Sequence, residues 1–250
     1  MANTSGKTVG LIPARLQSSR LPRKAMLDIC GLPMIVHVFK RCLLAKTLDE
    51  VYVATDSKEI YQCVLQYGGK AIMTSDKHQT GTDRIAEAAK KLDCEIVVNI
   101  QGDEALVNPS HIDAVVSAMK DDPGVKVAIL INPYYKRNSP SDIKVVIDTI
   151  GDVLYLSRTD IPSDARSEKP QLFKAYHIIP FKKEFLLEYA AMEQTPLEKI
   201  EFNEYLRILE NGYKIRTVQV ESEAISVDTE EDLNTVRLQM EKDPFFPCYA

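Results

Sequence analysis

The chain has 250 residues, 45% hydrophobic and 27% charged, a length that suggests one to two domains and a composition that excludes disorder, collagen and coiled coil as descriptions of the whole. No run approaches 18 consecutive apolar residues, so no membrane span is expected, and no apolar signal region precedes the first strand, which predicts a cytoplasmic protein. The net charge of −5 argues against nucleic-acid binding through the global field.

Val9-Gly-Leu-Ile-Pro13 is a short apolar run that reads as a buried strand. From Pro33 to Lys46 the spacing is helical, with Ile35, Val38, Phe39, Cys42 and Leu43 on one stripe. Val51 to Thr55 is a second strand. Asp56-Ser57 offers an N-cap for the helix carrying Ile60 and Val64, which Gly68-Gly69 ends. Lys70–Met73 is a strand, Thr82–Leu92 a helix, and Glu95–Ile100 a strand. Pro109 opens a helix with Ile112, Val115, Val116 and Met119 facing inward, and Val125–Ile131 is a fifth strand. This alternation predicts an α/β fold, a mostly parallel sheet with helices on both faces.

The second half changes character. Ile143–Ile147 and Val153–Ser157 flank Asp148-Thr-Ile-Gly151-Asp152, a hairpin turn. A polar loop (Ser163–Pro170), the segment Phe173–Ile179, helices over Lys183–Met192 and Leu197–Asn211, and a strand over Lys214–Val220 follow. A helix from Thr229 to Lys242, capped by Asp228 or Thr229, closes the chain. The pattern reads as one domain over 1–250 with an embedded hairpin subdomain at about 143–220. In open parallel sheets the ligand lies beyond the carboxyl ends of the strands, so the loops after Pro13, Thr55, Met73 and Ile100 should converge.

Those loops carry the chemistry. Residues 1–46 hold eight Lys or Arg against the single acid Asp28, which points to a local anion site. After the first strand come Arg15, Ser18, Ser19, Arg20, Arg23 and Lys24. This loop is neither a Walker loop nor GxGxxG, but Arg forks and a Lys point charge suit a polyphosphate; the alternative is an exposed basic loop. Asn99-Ile-Gln101-Gly102-Asp103-Glu104 follows the fourth strand, and Asp228 follows the apolar run Ala224–Val227. Asp103 and Asp228 could share a Mg²⁺ ion, which favours one or two carboxylates plus substrate phosphates; turn or N-cap roles are the alternative. Gly81-Thr82-Asp83-Arg84 reads equally as a helix start. The histidines His37, His78, His111 and His177 lack metal-ligand spacing. Five cysteines form no CxxC pair, which predicts reduced, buried thiols. No Ser-His-Asp or Cys-His nucleophile set stands out.

Together these segments resemble the CMP-Kdo synthetase (3-deoxy-manno-octulosonate cytidylyltransferase) family. The resemblance runs through Ile12-Pro-Ala-Arg15, Ser19-Arg20-Leu-Pro22, Lys24 and Pro33-Met-Ile-Val-His37. It continues with Val53-Ala-Thr-Asp56, His78-Gln79-x-Gly81-Thr82-x-Arg84 and Asn99-x-Gln101-Gly102-Asp103-Glu104. Lys144-Val-Val, Leu154-Tyr155-x-Ser157-Arg158, Pro196-Leu-Glu198, Leu206-Arg207 and Val227-Asp228 complete it, in order from residue 8 to about 240.

The resemblance implies a nucleotidyltransferase, Rossmann-like fold and a homodimeric, Mg²⁺-dependent enzyme. Such an enzyme joins CTP to a small acidic 2-keto sugar and releases pyrophosphate, supplying activated sugar for lipopolysaccharide or surface polysaccharide. It implies that Arg15, Ser19, Arg20 and Lys24 hold the triphosphate, that Thr55, His78, Gln79 and Arg84 meet the nucleotide, and that Arg15, Lys24 and Asp103 serve catalysis. Asp103 and Asp228 would hold the metal, and Gln101, Arg158, His177, Glu204 and Tyr205 would face the acceptor.

Three departures stand out. The family reads Arg/Lys-His-x-Gly-Ile/Val-Tyr where this chain has Lys174-Ala175-Tyr176-His177-Ile178-Ile179, and Leu-Glu-Gln-Leu-Arg becomes Asn203-Glu204-Tyr205-Leu-Arg207. Arg23 replaces a phosphate-loop Gly and should add charge beside the triphosphate. The first two changes remove hydrogen-bonding groups that a polyhydroxylated sugar would use, so the expected acceptor is Kdo or a Kdo-like acid such as an amino-substituted Kdo. A different acidic acceptor, another sugar acid or a phosphonate, is the alternative within the fold. A non-catalytic nucleotide-binding protein is disfavoured by the intact Asp103 and Asp228.

Overall fold

The apolar run at Val9–Pro13 forms a strand over Thr8–Ala14 in which six of seven residues are buried, as a strand covered on both sheet faces must be. The computed structural model describes residues 6–18, 20–166, 170–222 and 225–250. In chain order its elements are β1 (Thr8–Ala14), a 3-10 turn (Lys24–Met26), β2 (Asp28–Ile29), β3 (Leu32–Pro33), α1 (Met34–Cys42), β4 (Glu50–Thr55), α2 (Lys58–Gln66), β5 (Lys70–Met73), α3 (Gly81–Ala89), β6 (Ile96–Ile100) and α4 (Pro109–Asp121). Then come β7 (Ala128–Tyr134), β8 (Lys144–Ile147), β9 (Val153–Ser157), β10 (Leu172–Tyr176), β11 (Ile178–Lys182), α5 (Lys183–Ala190), α6 (Pro196–Glu201), α7 (Leu206–Glu210), β12 (Arg216–Gln219), α8 (Glu230–Met240) and a final 3-10 turn (Phe246–Cys248). They fall into two compact units, Met1–Asp113 with Glu223–Ala250, and Ala114–Ser222.

In the first unit β6, β1, β4 and β5 lie side by side and parallel, with Leu11 opposite Asn99, Ile12 opposite Val53 and Thr55 opposite Met73. Leu11, Ile12, Val53, Val98 and Ile100 are fully buried between the helices. Parallel strands put their carboxyl ends on one edge, so the loops after β1, β4, β5 and β6 leave the sheet together. Caps fix where the helices begin: Ser57 accepts from the Ile60 N–H at 3.3 Å and Thr80 from the Asp83 N–H at 3.1 Å. Thr229 and Asp232 form a reciprocal capping box at α8. The apolar face of α8 (Leu233, Val236, Met240) packs on Ile29, Met34, Ala105 and Val227, which returns the C-terminal segment to the first unit.

The second unit holds a mixed sheet of order β12-β7-β10-β8-β9. β7 runs parallel to β12 and antiparallel to β10, β10 antiparallel to β8, and β8 with β9 forms the expected hairpin. The strand expected at 125–131 begins at Ala128 and belongs to this sheet instead of extending the parallel one. Its apolar run carries no mark of its partners. The helix expected over 197–211 is broken into α6 and α7 because Phe202 takes a left-handed conformation (φ 48°) and the Asn203 side chain accepts from the Tyr205 N–H at 3.1 Å. Among the described residues no helix is long and apolar enough to cross a membrane. All five cysteines are free; Cys42, Cys63 and Cys94 are buried, Cys30 is half-buried, and Cys248, contrary to expectation, is exposed, because it lies in the terminal 3-10 turn, none of whose residues is buried.

Candidate active site

A cavity opens at the carboxyl edge of the parallel sheet, walled by Arg15, Ser18, Arg20 and Lys24 after β1, by His78, Gln79 and Arg84 around the start of α3, and by Gln101, Asp103 and Asp228. The close approach of β1 to the β6 loop sets its floor. A Cβ on Gly102 would stand 2.7 Å from the Pro13 carbonyl oxygen, so only glycine lets Gln101 and Asp103 reach the cavity at this point. Two further contacts bring Asp228 beside Asp103. The Val227 N–H donates to the Asp103 carbonyl at 3.1 Å, and buried Glu104 accepts from the Ser226 hydroxyl.

Lys24 ties the two carboxylates together. Its Nζ lies 2.6 Å from Asp103 Oδ2 and 3.0 Å from Asp228 Oδ1, and Arg20 Nη2 lies 2.8 Å from the same Asp228 oxygen. Burial alone would lower the Lys24 pKa, but Asp103 and Asp228 outweigh it and hold it above the ordinary lysine value. Neither Asp103 nor Asp228 caps a helix; Thr229 fills that role at α8. Among the described residues no group of three His, Cys, Asp or Glu side chains could hold a metal by itself. Two carboxylates converging on one cationic centre are nevertheless the hard oxygen donors Mg²⁺ takes when substrate phosphates complete its shell. The Lys24 ammonium stands where such a charge fits.

The opposite wall is held from α3. Arg84, only 4% exposed, donates to Thr74 Oγ1 at 2.7 Å and Asp56 Oδ2 at 2.9 Å. Glu87, one turn on, accepts from the Ser75 N–H at 2.9 Å and contacts His78 Nε2 at 2.5 Å. The Ser75 N–H and then His78 hold the Glu87 pKa below the usual carboxylate value. Arg84 thus reaches the cavity wall mainly as a brace for the loop that presents His78 and Gln79.

Two expectations change. Thr55, assigned to the nucleotide, is fully buried and its hydroxyl accepts from the Ser57 N–H at 3.1 Å, so it shapes the start of α2 instead of facing the cavity. Arg23, expected beside the triphosphate, adopts a left-handed conformation (φ 58°) at the head of the 3-10 turn, and its guanidinium pairs with Glu59 of α2. Ser19 lies outside the described residues.

Arg158, His177, Glu204 and Tyr205 belong to the second unit. The Arg158 guanidinium donates to the carbonyls of Glu201 and Pro140, both at 2.8 Å, and of Phe202 at 3.0 Å. His177 stacks on Tyr205, with ring centroids 6.0 Å apart. The Tyr189 hydroxyl donates to the Glu204 carbonyl at 3.0 Å. Beneath them Arg207 makes a buried two-pronged ion pair with Glu198 (2.9 and 2.5 Å) and lies over the Tyr189 ring. Ala175 and Ile179 are each 1% exposed. Glu104, which the sequence groups with Gln101 and Asp103, is buried and bonded to Ser226 and does not line the cavity; Glu87 and the pairing of Glu198 with Arg207 were not anticipated. Glu87 alone had a signal, since it lies one turn beyond Arg84 on α3.

A basic cavity with paired carboxylates at the carboxyl edge of a parallel α/β sheet suits nucleotidyl transfer, and comparison with known proteins identifies the class as nucleotidyltransferase. The cytidylyltransferase family profile matches residues 9–215. A 3-deoxy-manno-octulosonate cytidylyltransferase of Trichlorobacter lovleyi is 42% identical over 94% of this chain and 98% of its own length, and one from Escherichia coli is 40% identical over 95% and 97%. A solved CMP:2-keto-3-deoxy-manno-octonic acid synthetase complexed with CTP superimposes with a TM-score of 0.91 at 40% identity, covering 94% of this chain and 99% of that one. A 4-diphosphocytidyl-2C-methyl-D-erythritol synthase, at 13% identity and a TM-score of 0.65 over 94% and 99%, shares the fold alone. The chain belongs to the cytidylyltransferase family, in the group named 3-deoxy-manno-octulosonate cytidylyltransferase.

Proposed function

We propose that this enzyme transfers CMP from CTP to a hydroxyl of 3-deoxy-manno-octulosonate or a close analogue and releases pyrophosphate. The observation that carries this reading is the convergence of Arg15, Arg20 and Lys24 with Asp103 and Asp228 on one cavity. In the reaction the acceptor hydroxyl oxygen attacks the α-phosphorus and its proton passes to solvent water. The bond from that phosphorus to the bridging oxygen breaks, and pyrophosphate departs with the electron pair. Phosphoryl chemistry needs chiefly positioning and charge neutralisation. Arg15, Arg20 and Lys24 hold and neutralise the triphosphate, while His78 and Gln79 stand at the nucleoside wall and Gln101 at the acceptor side. Asp103 and Asp228 would hold Mg²⁺, which supplies Lewis-acid polarisation of phosphate oxygens when bound. Arg158, His177, Glu204 and Tyr205 are the acceptor candidates of the second unit. The enzyme works in the cytoplasm, where CTP is made, as a homodimer, and feeds lipopolysaccharide or surface polysaccharide synthesis.

Pyrophosphate release measured with each of the four nucleoside triphosphates, with and without 3-deoxy-manno-octulosonate, tests this. Release is expected with CTP and the sugar acid together and to stop in EDTA. Undiminished turnover in EDTA, or equal turnover with ATP, would overturn the reading.

A further inference from the structure

Lys24 holds a position that the reaction gives to a different cation. Its ammonium contacts both Asp103 and Asp228, at 2.6 and 3.0 Å, with the side chain only 17% exposed, and Arg20 contacts Asp228 as well. Two carboxylates therefore face two protein cations, and the cluster is already neutral. A divalent ion arriving alone would have to displace the ammonium and leave it without a carboxylate in a largely buried place, which is costly. A triphosphate changes that balance. Lys24 and Arg20 line the same cavity as Arg15, so both can pass from the carboxylates to phosphate oxygens and free Asp103 and Asp228 for the metal.

We infer that Lys24 is a built-in counter-ion of the metal carboxylates that makes metal and nucleotide bind together, not independently. The inference rests on the proposed reading of Asp103 and Asp228 as metal ligands, and adds the order in which their site becomes available. Coupling of this kind is reciprocal: whatever factor nucleotide adds to metal affinity, metal adds to nucleotide affinity.

The test uses Mn²⁺ alone, without nucleotide or acceptor, followed by electron paramagnetic resonance on the full-length protein. The wild type should bind Mn²⁺ weakly. Lys24→Met should bind it at least tenfold more tightly, within the fold-change range of ordinary coupled sites, and adding Asp103→Asn to Lys24→Met should abolish the gain. Lys24→Gln, with circular dichroism as the fold check, serves if the methionine variant does not fold. Equal Mn²⁺ affinity in wild type and variant would overturn the inference and leave the metal role of Asp103 to be judged by activity. A gain that survives Asp103→Asn would place the new ion elsewhere, overturning the inference too.

Discussion

At the scale of single residues, Asp103 separates function from folding. Its side chain lies past the end of β6 and is a quarter exposed, so its loss removes no core packing. Asp103→Asn should lower turnover by about 10²-fold or more, the several kcal/mol assigned to metal neutralisation of developing charge. The melting temperature should stay near that of the wild type. Near-normal turnover at matched Mg²⁺ would reassign the residue, and a collapse in melting temperature would make it structural. Asp142 in the second unit behaves oppositely. Burial alone would raise its pKa, but Lys174, Tyr134 and Ser139 outweigh burial and hold it down to about 2. A depressed carboxylate pKa contributes stability that is present above the ordinary value near 4 and is lost as pH falls towards 2. Asp142→Asn should cost about 1–2 kcal/mol at neutral pH, after allowing for solvent screening, and flatten the acid limb between pH 4 and 2. Denaturant melts across that window would show whether the two curves merge. Asp103 was legible in the sequence because a polar cluster follows an apolar strand abruptly. Arg23 was not: residue type gives its charge, but its left-handed backbone and the partner Glu59 set its direction.

At the scale of elements, α3 does more than cover the sheet. Arg84 and Glu87 project from successive turns and grip the segment 74–78 at four points: Thr74 Oγ1, the Ser75 carbonyl and N–H, and His78 Nε2. The loop that carries His78 and Gln79 is thereby held by a helix as well as by its own bonds, from the Lys77 N–H to the Ser75 hydroxyl and from the Gln79 amide to the Lys77 carbonyl, and a site on a braced loop is preorganised. Glu87→Ala should therefore raise the KM for CTP several-fold while kcat falls much less, since the phosphate and metal groups are untouched. Steady-state kinetics with CTP varied would check this, and a selective fall in kcat would place Glu87 nearer the chemistry. The start of α3 was legible from Gly81-Thr82, although Thr80, one residue earlier, supplies the cap. The break between α6 and α7 was not, because it depends on one left-handed residue, Phe202, with no glycine to announce it.

At the scale of the whole molecule, the alternation of strands and helices marked the parallel sheet, and the excess of Lys and Arg over residues 1–46 anticipated a basic cavity at its edge. Beyond the β8–β9 hairpin the second sheet escaped because strand order in a mixed array depends on partners that a single apolar run does not name. The same unit bears on the acceptor. The resemblance implies a histidine and a tyrosine where this chain has Ala175 and Ile179, and both are 1% exposed in the second unit. Tyr205, in place of glutamine, is 4% exposed and stacked on His177. On that resemblance, three polar groups are exchanged for apolar or aromatic ones inside a packed region of the second unit, where Glu204 and Arg158 remain. A site built around a substrate hydroxyl discriminates strongly, so exchanging its partners changes specificity more than overall power. The expected outcome is a kcat/KM for 3-deoxy-manno-octulosonate below that of an efficient biosynthetic enzyme, roughly 10⁴ M⁻¹s⁻¹, and a higher value for an amino-substituted analogue. Rebuilding the family residues is a poorer test than it looks, because Ile179→Tyr would force a larger side chain into a fully packed position and cost about 1–3 kcal/mol by itself. The informative comparison is therefore between acceptors on the unmodified protein, with CTP and Mg²⁺ saturating. If 3-deoxy-manno-octulosonate reaches 10⁴ M⁻¹s⁻¹ or more and the amino analogue does not exceed it, the substitutions at Ala175, Ile179 and Tyr205 are tolerated packing changes with no bearing on the choice of acceptor.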